Sequence, residues 1–137
     1  MSRKRENVRQ CKAIRQLIDD NKYTKALELI DAIPLEEVGS LDDLYRYAEL
    51  YEKAERMDKK KEIFYHIYHR THSRYMLNRL LRLTIRMGDM EEARELYFAY
   101  EVAGPITLDT FELRYLLAKA EGEPPERLIQ ILEELKK

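Results

Sequence analysis

Met87-Gly88-Asp89-Met90-Glu91-Glu92-Ala93-Arg94-Glu95-Leu96-Tyr97 is the stretch that decides how this chain folds. It predicts a tight turn between two helices. Gly88 can take the left-handed conformation that closes one helix, and Asp89 can cap the next. Glu92, three residues after Asp89, completes a capping-box pattern. Ala93, Leu96, Tyr97 and Tyr100 then fall on one face at helical spacing. One hairpin of this size cannot bury such a stripe alone, so the unit must recur.

It recurs along the whole chain. In the second helix of each hairpin, Ala26, Lys60, Ala93 and Leu128 align at intervals of 34, 33 and 35 residues. The same offsets align Leu29, Ile63, Leu96 and Ile131, then Ile30, Phe64, Tyr97 and Leu132, then Ile33, Ile67, Tyr100 and Leu135. Three columns apolar in all four rows define a four-fold repeat. The first helices align as Ala13, Tyr47 and Leu80, as Ile14, Ala48 and Leu81, and as Leu17, Tyr51 and Thr84.

Taken in order, the expected hairpins cover about 2–34, 40–72, 73–104 and 107–137, within a single domain 1–137. Helix one should run from Ser2 to Asp19 with Ala13, Ile14, Leu17 and Ile18 inward. Asn21 should cap helix two, which Pro34 stops. Ser40 and Ser73 should cap the third and fifth helices, and Thr107 or Asp109 the seventh, with Leu108, Phe111, Tyr115 and Ala118 inward. Four Gly, four Pro and ten Tyr among 137 residues, with many Leu, Ile, Glu, Lys and Arg, give an all-α class.

The net charge of −1 excludes a whole-chain polyanion binder. It is unevenly spread, at +5 for residues 1–15, −7 for 16–58, +7 for 59–86 and −6 for 87–137. One cysteine allows no internal disulfide, no apolar run spans a bilayer, and no signal peptide is legible; a soluble cytoplasmic protein is expected.

A helical-hairpin repeat of about 34 residues resembles the tetratricopeptide repeat. The clearest match is Gly88 to Tyr97, echoed by Asn21-Lys22-Tyr23-Thr24-Lys25-Ala26-Leu27-Glu28. The repeats are divergent: there is no Trp, and Lys60 and Leu128 stand where the family has Ala. In wording and order the chain looks like the N-terminal part of bacterial tetratricopeptide-repeat proteins. The resemblance implies an α-solenoid of about four hairpins wound as a right-handed superhelix. It also implies a concave groove, lined by the first helices, that binds peptides. Pentatricopeptide repeats have a similar length and read RNA, but the acidic first, second and fourth repeats argue against that partner.

No phosphate loop, nucleophile elbow or paired cysteine marks an enzyme, so no catalytic residue and no cofactor are expected. His66, His69 and His72 rotate away from one another along a helix and read as solvated; no metal site is expected. Cys11 reads as a passive surface or groove thiol. The informative pattern is a ladder of cations opposite the buried stripe: Lys12, Arg46 and Arg79, extended by Arg15, Arg82 and Arg86. Tyr45, Tyr75 and Asn78 occupy neighbouring positions. Arg114 is the fourth rung only if helix seven keeps a 35-residue offset; a 34-residue offset puts Leu113 there. These residues predict a groove for an acidic or C-terminal peptide, or for a protein partner, with nucleic acid the weaker alternative and no membrane partner. Helix eight carries Leu128, Ile129, Ile131, Leu132 and Leu135 with nothing after it to cover them. Solenoids need a polar cap, so this end is expected to continue the array or to pair in a homodimer.

Overall fold

Four of the five left-handed residues among those described close a helix at the turn inside a hairpin: Asn21 (φ 60°), Glu55 (φ 59°), Gly88 (φ 81°) and Gly122 (φ 78°). Their intervals, 34, 33 and 34 residues, restate the sequence period in backbone geometry. Each closes a helix with the same pair of hydrogen bonds. The residue after it donates back to the carbonyls of Leu17 (2.8 Å), Tyr51 (2.8 Å), Thr84 (3.3 Å) and Ala118 (3.0 Å). The left-handed residue itself donates to Ile18, Glu52, Ile85 and Lys119 at 3.0–3.1 Å. This double bond is the Schellman closure, and it satisfies carbonyls that the helix end would otherwise leave open.

The computed structural model describes the backbone of residues 2–135 and the side chains of residues 7–134. Its elements are α1 (Ser2–Asp19), α2 (Tyr23–Ala32), α3 (Leu41–Lys53), α4 (Met57–Thr71), α5 (Arg74–Met87), α6 (Met90–Val102), α7 (Leu108–Ala120) and α8 (Pro125–Leu135). A single 3₁₀ turn, Leu35–Glu37, interrupts the connection between α2 and α3. Among the described residues there is no strand, and the all-α class stands. The chain divides into two compact units, Met1–Arg70 and Thr71–Lys137, so each holds two hairpins.

In the first unit, Ser40 caps α3 by accepting from the Asp43 amide at 3.3 Å. Leu44, Tyr47, Ala48 and Tyr51 on α3 and Ile63, Phe64 and Ile67 on α4 are buried, as the periodicity predicts. Three expectations for α1 and α2 need correction. Asn21 does not cap α2: its φ of 60° places it at the end of α1, and Lys22 holds the cap position with no side-chain bond. Ala13 is exposed, and Cys11 takes the inward place one helical turn before Ile14. Leu29 is 39% exposed, because the first hairpin buries its second helix through Ala26, Ile30 and Ile33. Lys60, out of place in an apolar column, is buried with its ammonium 3.1 Å from Glu52 and 5.3 Å from the Phe64 ring centroid.

In the second unit, Ser73 and Asp89 cap α5 and α6 by accepting from the Met76 and Glu92 amides at 3.3 Å. Leu77, Leu80, Leu81 and Thr84 on α5 and Ala93, Leu96 and Tyr100 on α6 are buried. Arg74 ties the start of α5 to the end of α6: its Nε donates to the Tyr100 carbonyl at 3.0 Å and its guanidinium lies 4.1 Å from the Tyr100 ring centroid. Thr107 holds the cap position of α7, its amide donating to the Thr110 hydroxyl at 3.1 Å. The inward face of α7 differs from expectation. Leu108 is 73% exposed and Phe111 and Tyr115 are half-buried; Ala118 is buried as expected, together with Thr110, Leu113 and Leu117. Capping by Thr107 makes Leu108 the first helical residue, on the solvent side of the first turn.

Candidate interaction surface

The surface is clearest on α5. Tyr75, Arg79, Arg82 and Arg86 stand at i, i+4, i+7 and i+11, which confines them to an arc of about 60°. This stripe lies opposite the buried residues Leu77, Leu80, Leu81 and Thr84. Tyr75 is 63% exposed, and the Arg79 guanidinium sits 5.8 Å from its ring centroid. A flat ring beside a cation offers an apolar face and a charge together.

The cations of the stripe are not equivalent. Arg82 donates to the Asn78 amide oxygen at 2.7 Å and to Glu112 on α7 at 3.1 Å. Its position is therefore fixed by the fold, and its charge already has a carboxylate partner. Asn78 is buried, held by that bond; it orients Arg82 and does not itself face a partner, which corrects its expected place on the surface. Arg79 is half-buried and Arg86 exposed.

In the first unit the expected positions separate in the same way. Lys12 on α1 and Arg46 on α3 are exposed, and Tyr45 is half-buried beside Arg46. Arg46 shares a cleft of about 200 Å³ with Ile18, Asp19, Tyr23, Glu49 and Lys53. Arg15 is spent within the fold: its Nε and Nη2 each donate to a different carboxylate oxygen of Asp43, both at 2.9 Å. Asp43 is buried, and its hydrogen bond and charge hold the Arg15 pKa above the ordinary value. Cys11 is buried, not a surface thiol; the hydroxyl of fully buried Tyr47 lies beside it without a hydrogen bond of good geometry.

The fourth rung of the ladder is absent. Gly88 and Gly122 are 34 residues apart, so the position equivalent to Arg79 is Leu113, which is fully buried. Arg114 points elsewhere, donating to the Tyr97 hydroxyl at 3.0 Å and to Glu134 at 3.0 Å, and so joins α6 to α8. Burial, the largest influence, raises the Tyr97 pKa against the lowering effect of Arg114.

Two other groups resolve differently from expectation. His66 is only half-exposed, with Nε2 buried and unbonded; burial first, then the charge of Arg70, lowers its pKa. His69 is exposed and packs beside Tyr65 and Tyr68, and His72 takes a left-handed φ of 52° before the α5 cap. Among the described residues no three His, Cys, Asp or Glu converge as metal ligands. On α8, Ile131 is buried and Leu128 half-buried, so the apolar surface left there is Ile129 and Leu132, 54% and 42% exposed. The Leu135 side chain lies outside the described residues. The periodicity gave no role to Phe98 and Val102, which are 67% and 68% exposed; their apolar character off every inward column was the available signal.

No helix among the described residues is long and apolar enough to cross a membrane. No family model, no curated protein and no solved structure matches the chain.

Proposed function

We propose that this chain is a non-enzymatic, cytoplasmic interaction module: a divergent tetratricopeptide-like α-solenoid that binds an acidic peptide or protein segment along the exposed faces of its first helices. The observation that carries this reading is the α5 stripe of Tyr75, Arg79, Arg82 and Arg86, one aromatic ring and three guanidiniums on one face. The fold braces one of those cations through Asn78 and Glu112 before any partner arrives. Preorganised side chains lose less freedom on binding. In the first unit, Lys12 on α1 and Arg46 on α3 are exposed cations at the repeat-equivalent positions of Arg79.

Magnitudes define what the partner must be. Exposed ion pairs contribute roughly 0–1 kcal/mol each, whereas micromolar binding needs about 8 kcal/mol. Charge alone is insufficient. A partner with an aromatic or aliphatic anchor beside its acids, seated on Tyr75, supplies the remainder.

The test is fluorescence titration with a labelled library of acidic peptides bearing free C-terminal carboxylates. Arg79→Glu and Arg86→Glu should each weaken the best binder about tenfold or more, and Tyr75→Ala should weaken it independently of salt. Equal affinity across wild type and all three variants would refute the assignment. Arg82 is a poorer probe, because its loss also unpairs Asn78. A second reading, an assembly module packing α8 on a further domain, draws on the exposure of Ile129 and Leu132. In that case Ile129→Glu would abolish assembly and leave peptide binding intact.

A further inference from the structure

The outer face of α6 repeats the spacing of the α5 stripe with the opposite charge. Glu91, Glu95, Phe98 and Val102 stand at i, i+4, i+7 and i+11, within an arc of about 60° and along about 16 Å of helix. All four are exposed, and the buried Ala93, Leu96 and Tyr100 lie on the other side. Ile106 and Leu108 follow in the connection and at the start of α7, so four large apolar side chains within eleven residues are each more than 60% exposed. Single exposed apolar residues are ordinary, but such a group marks a contact surface.

The charge around these side chains is acidic. Between Met87 and Leu113 seven carboxylates stand against one cation. Asp89 caps α6, Glu112 pairs with Arg82 and Glu92 is half-buried; Glu91, Glu95, Glu101 and Asp109 are the exposed remainder. The cations of α6 and α7 are Arg94, paired with Glu121, Arg114, which donates to Tyr97 and Glu134, and Lys119 in the last turn of α7. Glu91 in the first turn also complements the helix dipole. That use does not extend to Glu95, nor does it account for Phe98 and Val102. We infer that this face of α6 docks a basic amphipathic helix of a partner protein. Two cations one turn apart meet Glu91 and Glu95, and apolar side chains farther along the same face pack on Phe98 and Val102. Charge selects this occupant: an anionic lipid surface or a second acidic face would set like charges against the carboxylates, which is disfavoured. The α5–α6 hairpin thereby carries two surfaces of opposite sign, and the second stands whether or not the first binds peptides.

Fluorescence anisotropy of the full chain with labelled alanine-based helical peptides of about 20 residues tests this. The probe carries two Lys and two Leu at i, i+4, i+7 and i+11, made with the pairs in either order. It should bind, more weakly as salt rises. Gln in place of its Lys, or Ala in place of its Leu, should each cost about tenfold or more. On the protein, Glu91→Gln with Glu95→Gln should weaken the probe about tenfold, and Phe98→Ala should do so at every salt concentration. All three side chains are exposed, and far-UV circular dichroism confirms folding. A probe that fails to bind, binds equally without its Lys, or ignores the α6 variants would overturn the inference. So would self-association in sedimentation velocity, or capture by phosphatidylserine vesicles, that Phe98→Ala abolishes, since either would give the face another occupant. Phe98→Ala touches no residue of the α5 stripe, so its affinity for acidic peptides stays unchanged and reports on that reading separately.

Discussion

At the scale of single residues, the four left-handed closures are the most exacting positions in the chain. Gly88 adopts φ 81° without cost, whereas Glu55 adopts φ 59° with a Cβ that crowds the following carbonyl. Gly88→Ala should destabilise the protein by about 1 kcal/mol, and Glu55→Gly should stabilise it by about 0.5–1 kcal/mol once glycine's extra chain entropy is subtracted. Urea midpoints at constant slope measure both. Tyr47 makes a contrasting case: its hydroxyl is buried and lacks a well-placed partner, so Tyr47→Phe should be neutral or stabilising by up to about 1 kcal/mol. A loss of 2 kcal/mol or more would show that the Cys11 thiol is a better partner than its geometry suggests.

At the scale of elements, period and caps were legible and registers within the first helices were less so. Ser40, Ser73 and Asp89 announce their helices because a short oxygen-bearing side chain before an apolar run has one favourable use. Asn21 is ambiguous by chemistry: it suits both a cap and a left-handed closure, and the closure prevailed because the Lys22 amide reaches the Leu17 carbonyl. The cation ladder illustrates a further limit. Spacing places Arg15, Arg82 and Arg114 on polar faces but says nothing of the carboxylates and phenols opposite them, which lie 17 to 30 residues away. Nor could it show that Asn78 turns inward. The Arg15–Asp43 fork joins α1 to α3, and removing the cation strands a buried carboxylate. Arg15→Ala should therefore cost about 2 kcal/mol. Adding Asp43→Asn should recover a good part of that loss, which a double-mutant cycle would measure.

At the scale of the whole molecule, stability should fall at both ends of the pH range through one side chain. The Tyr51 hydroxyl donates to Asp31, and that bond, followed by the Arg56 guanidinium donating at 2.9 Å, depresses the Asp31 pKa against the opposing effect of partial burial. The folded state thus favours the carboxylate. Its stabilisation is complete above the unfolded carboxylate's pKa of about 4 and is lost as pH falls through the lower folded value. The Tyr51 pKa is raised, chiefly by burial and next by Asp31, so the folded state favours the phenol. That contribution is complete below about pH 10 and disappears as pH rises through the folded value. Tyr51→Phe should flatten the acid limb of a stability–pH curve and reduce the alkaline one, Tyr47 supplying what remains. Identical curves for wild type and variant would contradict this assignment. Gly104 carries a different consequence for the molecule. A Cβ there would stand 2.7 Å from Arg74 Nη1, so the guanidinium would have to shift against the Tyr100 carbonyl and ring that hold it. Gly104→Ala changes no charge and no exposed side chain of the connection between α6 and α7, yet it loosens that connection from behind. Amide exchange over residues 100–108 should quicken in that variant while the protection of α1 stays as it was. Arg74 thus works as a latch that closes only because Gly104 has no methyl group in its way.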